Sequence, residues 1–110
     1  MNYNVETIPT FDRQLKRLAK KFLSLKTDLK ELTDSLAETP TQGTSLGNNC
    51  YKIRLSIRSK GRGKSGGSRV VTHVRVEGET VYLLSIYDKS ERSNLIEGEL
   101  DNLLTEVMNE

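Results

Sequence analysis

The apolar residues change period at Thr39-Pro40, and that switch limits what can be built on either side. Upstream, Phe11, Leu15, Leu18, Phe22, Leu25, Leu29, Leu32 and Leu36 recur at alternating steps of four and three, the spacing of one face of an α-helix. Downstream, Tyr51, Ile53, Leu55 and Ile57 alternate with Lys52, Arg54, Ser56 and Arg58, the period of a strand with one buried and one wet face. Thr39 stands at the boundary because the residue before a proline disfavours the α conformation.

The helical seam fits either one long helix or a helical hairpin broken near Ser24. A helix of about 26 residues would run about 40 Å, at 1.5 Å per residue, and would overhang a domain of 110 residues. The hairpin is therefore expected. Thr10 is the expected N-cap after Pro9, with Asp12 at the positive end of the helix dipole. Cations Arg13, Lys16, Arg17, Lys20 and Lys21 form its solvated side.

Beyond Arg58 the alternation resumes. Val70, Thr72, Val74 and Val76 oppose Arg69, Val71, His73 and Arg75, and Glu77-Gly78-Glu79 reads as a tight turn into a strand over 80–87. In that strand Tyr82, Leu84 and Ile86 are expected inward, Ser85 and Tyr87 outward. Tyr3 to Ile8 is a further expected strand, and Ile96, Leu100, Leu103, Leu104 and Val107 have helical spacing. The expected fold is α+β: a helical hairpin packed on a three- to four-stranded antiparallel sheet with a C-terminal helix, in the order β-α-α-β-β-β-α. Residues 1–110 then form a single domain.

Charge is segregated along this chain. From Thr39 to Val76 there is no Asp or Glu, but there are Lys52, Arg54, Arg58, Lys60, Arg62, Lys64, Arg69 and Arg75, 8 of the 17 cations and none of the 15 acids. The net charge of +2 conceals this, since the other residues hold 9 cations against 15 acids. A field of one sign over one surface attracts polyanions. Alternation sorts many of these cations onto one strand face, which a merely solubilising loop would not need. The last segment, Asn94 to Glu110, has five acids and no base; it is expected to pack on the domain as an ordinary helix, with shielding of the basic face as the sharper alternative.

Cys50 is the only cysteine, so no internal disulfide can form and a reducing, cytoplasmic setting is expected. No apolar stretch is long enough to span a bilayer, and MNYNVETIPT has no secretory character; no membrane partner is expected. Some literal motifs carry nothing. Gly61, Gly63 and Gly66 spell GxGxxG, but between strands and before no helix. Cys50 and His73 lack a third orienting group for a nucleophile pair. One His, one Cys and a face without carboxylates offer no metal ligand set, and no cofactor is expected.

The segments YKIRLSIRSKGRGKSGGSRVVTHV and VYLLSIYDKSE, with the opening FDRQLKRLAKKF and the approach PTQGTSLGNNC, resemble the RelE/ParE superfamily of toxin–antitoxin toxins, in its RelE and HigB branches. The resemblance spans about Ile8 to Leu104 and implies a cognate antitoxin, with a hetero-oligomer of toxin and antitoxin. It also implies one of two activities. RelE-like members cleave mRNA in the ribosomal A site; ParE-like members poison DNA gyrase without hydrolysis. Lys52 and Arg54 match the paired basic positions of the family's second strand, Arg69 the arginine opening the next strand, and Lys89 the late arginine. The family's terminal catalytic tyrosine falls near Leu95 and is missing here, which leaves Tyr87 as its substitute.

The chemistry such a face could perform follows from RNA itself. The 2′-OH is a built-in nucleophile, so the protein need only align it, move two protons and stabilise a pentavalent phosphorane with preorganised cations. Lys52 is the expected base, since a neighbouring like charge disfavours its protonated form; it lies two residues from Arg54, roughly 7 Å along a strand. Arg54 and Arg69 would hold the phosphate, and Tyr87 or Lys89 would protonate the leaving oxygen. Arg58, Lys60, Arg62, Lys64 and His73 are expected to bind RNA, the loop cations as mobile charges. A basic nucleic-acid-binding module without toxicity is a third possibility.

Overall fold

A computed structural model of the chain describes residues 2–60 and 67–109. Strand β1 (Asn4–Thr7) leads into helices α1 (Pro9–Lys21) and α2 (Leu25–Glu38), followed by β2 (Thr44–Gly47), β3 (Cys50–Leu55), a 3-10 turn (Arg58–Lys60), β4 (Ser68–Arg75), β5 (Thr80–Asp88) and α3 (Glu99–Met108). The class is α+β, as expected, and the helical seam is a hairpin broken between Phe22 and Ser24. Leu18, Phe22, Leu25, Leu29, Leu32 and Leu36 are all buried along it.

The sheet departs from expectation in number and direction. It has five strands in the order β1-β5-β4-β3-β2, and β1 runs parallel to β5, so the sheet is mixed. The added strand, β2, is exposed at every residue and therefore has no alternation to betray it. It turns into β3 through Asn48 and Asn49, whose φ values of 53° and 59° are the left-handed pair that a two-residue hairpin needs.

Strand β5, inside the sheet between β1 and β4, breaks its own alternation. Val71 pairs with Ser85 but Thr72 pairs with Leu83, so Leu84 is an extra residue, a β-bulge. Tyr82 and Ile86, expected on one face, consequently fall on opposite ones: Tyr82 lies in the row of Cys50 and His73, and Ile86 in the row of Ile53 and Val70.

The N-terminus of α1 is capped from the far end of the chain. Thr10 is not the N-cap; the helix opens at Pro9 with Ile8 before it. Proline at the first position leaves Thr10 inside the first turn. Its amide and hydroxyl donate to the two carboxylate oxygens of Glu106 in α3, at 2.8 and 2.6 Å. Leu103 and Val107 are buried on the same helix, so α3 packs on the domain, while Ile96 precedes it and is 72% exposed.

Candidate nucleic-acid interface

Residues paired directly across a sheet share a face. Register therefore assembles a transverse row from Arg54, Arg69 and Tyr87, with Lys52, Val71 and Ser85 forming the next row. The opposite face of the same strands carries Ile53, Val70 and Ile86, all buried in the core. Strands space neighbouring Cα atoms about 5 Å apart, so three of the expected site residues lie within about 10 Å of one another. Lys52 is one step along β3 from this row, and Lys89 is one residue past the end of β5, its amide donating to the Gly67 carbonyl at 3.2 Å. The side chains of Arg54 and Lys89 are exposed and make no hydrogen bond or ion pair among the described residues.

Two members of the row lie deeper than the alternation predicts. Arg69 and Tyr87 are each only 4% exposed, and the Arg69 guanidinium donates to its neighbour's carbonyl, that of Ser68, at 3.1 Å. The cause is the segment after β5, which returns over this face. The Arg92 guanidinium sits 4.8 Å from the centre of the Tyr87 ring and is ion-paired to Glu99 at 2.6 Å. Lys52 Nζ donates to Asn94 Oδ1 at 2.8 Å, and the Tyr87 hydroxyl donates to the Ser93 carbonyl at 3.4 Å. Burial pushes the Tyr87 phenol up, against the opposing pull of Arg92 and Arg69; the phenol is therefore protonated at neutral pH and able to donate.

Arg92 and Asn94 are functional candidates that residue patterns missed. Both lie in a short irregular connection, where no periodicity assigns a face. The signal that could have found them is Arg92 itself, which with Lys89 makes up all the positive charge after Arg75.

Three expected RNA contacts fall elsewhere. Arg58 follows the end of β3 and turns toward α2, pairing with Glu31 at 2.6 Å and Asp28 at 3.7 Å. Lys60 is no mobile charge: its side chain is 11% exposed and its ammonium meets the buried Asp88 carboxylate at 2.8 Å. His73 stands in the row of Cys50, four residues along β3 from Arg54 and so roughly 13 Å away. Burial holds the imidazole below its ordinary value and pushes the Cys50 thiol, 3.5 Å from Nδ1, up to about 11. Both groups are neutral at pH 7, which rules out a thiolate–imidazolium pair. Arg62 and Lys64, with Gly61, Gly63 and Gly66, lie outside the described residues. Among the described residues no cluster of His, Cys, Asp or Glu is placed to hold a metal, and no helix is long and apolar enough to cross a membrane.

Comparison with known proteins puts this geometry in context. Residues 10–108 match the family model of the RelE toxin of the RelE/RelB toxin–antitoxin system. A free-state mutant of the Escherichia coli toxin RelE superposes with a TM-score of 0.59 at 23% identity, covering 99% of this chain and 97% of that one. The toxin–antitoxin complex RelBE2 from Mycobacterium tuberculosis gives 0.58 at 18% identity, over 80% of this chain and 99% of the matched one. A metal-bound toxin from Helicobacter pylori gives 0.51 at 22% identity, with coverages of 81% and 97%. These likenesses show the fold; the family match covers nearly the whole chain.

Proposed function

Because the chain belongs to the RelE toxin family, we propose that it is a ribosome-dependent mRNA endonuclease, held inactive by a cognate antitoxin in a hetero-oligomer. One observation carries this beyond the family assignment: Arg54, Arg69 and Tyr87 form one row across the sheet, with Lys52 beside it. A protein that only bound a partner protein would have no need of that set.

In the proposed reaction Lys52 takes the proton of an RNA 2′-OH. The O2′–P bond forms as the P–O5′ bond breaks, and Tyr87 or Lys89 returns a proton to O5′. The products are a 2′,3′-cyclic phosphate and a 5′-hydroxyl. Arg54 and Arg69 neutralise the charge that develops on the phosphorane, where fixed cations act most strongly because they need not reorganise. The protonated Tyr87 suits the donor role. Lys52 Nζ is engaged with Asn94 and the Tyr87 hydroxyl with the Ser93 carbonyl, so RNA must displace the connection over 93–94 before reaching the row.

The test is primer-extension mapping of an mRNA on programmed ribosomes with the purified chain, alongside Lys52→Ala and Lys52→Arg. Cleavage on the ribosome, lost in both variants, supports the assignment; Arg fails as a base because it cannot be deprotonated here. Inhibited DNA supercoiling without cleavage would instead identify a gyrase poison. RNA binding with neither effect would leave a binding module.

A further inference from the structure

The end of β5 holds a buried acid that the proposed chemistry does not use. Asp88 follows Tyr87 directly, and its side chain is 1% exposed. Oδ1 accepts from Lys60 Nζ at 2.8 Å and from the Ser90 amide at 3.1 Å. Oδ2 has no hydrogen-bond partner among the described residues and faces Lys21 Nζ at 3.8 Å. The main-chain oxygen of the same residue accepts from the amides of Glu91 and Arg92, at 3.0 and 3.2 Å. One residue thus shapes the turn that presents Lys89 and Arg92, while its carboxylate fastens that turn to the 3-10 segment and to α1.

The surrounding charges hold this arrangement rather than compete with it. The ammonium groups of Lys21 and Lys60 each lie 5.3 Å from the centre of the Phe22 ring, a geometry favourable for cations. Glu91, next in the turn, pairs with Arg17 at 2.9 Å and with Lys21 at 3.8 Å. A buried ion pair is often no more stabilising than a neutral pair of the same shape, so stability alone does not explain it.

We propose that Asp88 and Lys60 are positioning residues, a buried pair that fixes the turn over 88–92 so that Tyr87, Lys89 and Arg92 meet the RNA in register with Arg69. This rests on the nuclease assignment for what the turn presents, but the geometry itself needs only RNA binding to be measured. It also reverses the simple electrostatic expectation. Removing an acid beside a basic face should tighten RNA binding, and freeing Lys60 should add a contact. If the pair positions the turn, removing the acid must weaken binding instead.

The test compares wild type, Asp88→Asn and the double variant Asp88→Asn/Lys60→Met, in which both charges are gone and both shapes are kept. Thermal melting reports folding. Fluorescence anisotropy with a short RNA carrying 2′-O-methyl groups reports affinity without cleavage, and single-turnover cleavage on saturated ribosomes reports chemistry. The double variant should melt close to wild type, bind the blocked RNA at least tenfold more weakly and cut more slowly at saturation. Asp88→Asn should also bind more weakly per folded molecule. Unchanged or tighter binding by either folded variant overturns the proposal. A wild-type chain that binds RNA without cutting it on ribosomes sinks the nuclease assignment alone, with the positioning role still read from affinity; one that cuts only on ribosomes has that role read from the single-turnover rate, and one that neither binds nor cuts sinks both.

Discussion

Arg69 gives the sharpest test, because it is both buried and proposed to bind phosphate. Truncation to Ala removes two buried methylenes, about 0.8 kcal/mol each, and a charge-assisted hydrogen bond to the Ser68 carbonyl, about 1.5–3 kcal/mol. Relief of the buried charge offsets part of this, leaving an expected loss of about 2–4 kcal/mol. That is a large share of the roughly 5–15 kcal/mol typical of a domain, so Ala alone would confuse folding with function. Arg69→Met keeps the stem and should cost about half as much. Urea unfolding measures both losses, and single-turnover cleavage on saturated ribosomes, scaled to the folded fraction, measures the chemistry. Both variants should lose at least about a hundredfold in rate, as expected when a preorganised donor to a developing anion is removed. Wild-type cleavage by folded Arg69→Met would refute the phosphate role. A loss below about 0.5 kcal/mol for Ala would refute the burial argument.

Acid should destabilise the protein in two windows. Burial holds His73 below its ordinary value, so the unfolded chain takes that proton first and stability declines as pH falls below about 6.5; His73→Gln should flatten this part of a urea-midpoint profile. Burial alone would raise the Asp88 carboxyl, but Lys60 and Ser90 hold it below its ordinary value, so its contribution is present above about pH 4 and is lost as pH falls through its folded value. Glu106→Ala should cost about 1 kcal/mol in melting or urea titration by uncapping α1, and Glu106→Gln, which still offers an acceptor, should cost less. Gly43→Ala should destabilise by more than about 1 kcal/mol, since Gly43 has φ 97° and an added Cβ would collide with the Lys52 carbonyl and lie 2.8 Å from an Ile53 side-chain carbon; the same variant should slow cleavage by shifting Lys52.

What residue patterns disclosed, and what they hid, follows from how burial writes itself into sequence. The seam from Phe11 to Leu36 and the alternation over Tyr51 to Ile57 each bury one face, so their periods predict helix upstream of Thr39 and the strand β3, while the length of the seam, not its period, made it a hairpin. Strand β2 buries nothing and left only Asn48-Asn49 as a sign. In β5 apolar residues occupy both parities, because a central strand is covered on both sides, and the bulge at Leu84 was invisible. The shared face of Lys52, Arg54 and Arg69 was legible from alternation, and so was Tyr87 on it, although the depth of Arg69 and Tyr87 was not. The ion pairs of Lys60 and Arg58 were hidden for a different reason. Their partners, Asp88 and Asp28, are 28 and 30 residues away in sequence, and no local pattern reports who neutralises a charge.

The parallel pairing of β1 with β5 has a consequence for the order of synthesis. Asn4–Thr7 is made well before the strand it pairs with, which begins at Thr80, and the carboxylate that caps α1 comes later still, with Glu106. Strand β1 is therefore made before its partners and secured only after them, and closing so distant a pair is entropically slow. A nascent chain can wind its helical hairpin early, but the row of Arg54, Arg69 and Tyr87 does not exist until β5 has been made and has docked. The proposed nuclease would thus acquire its working surface only after β5 has been translated.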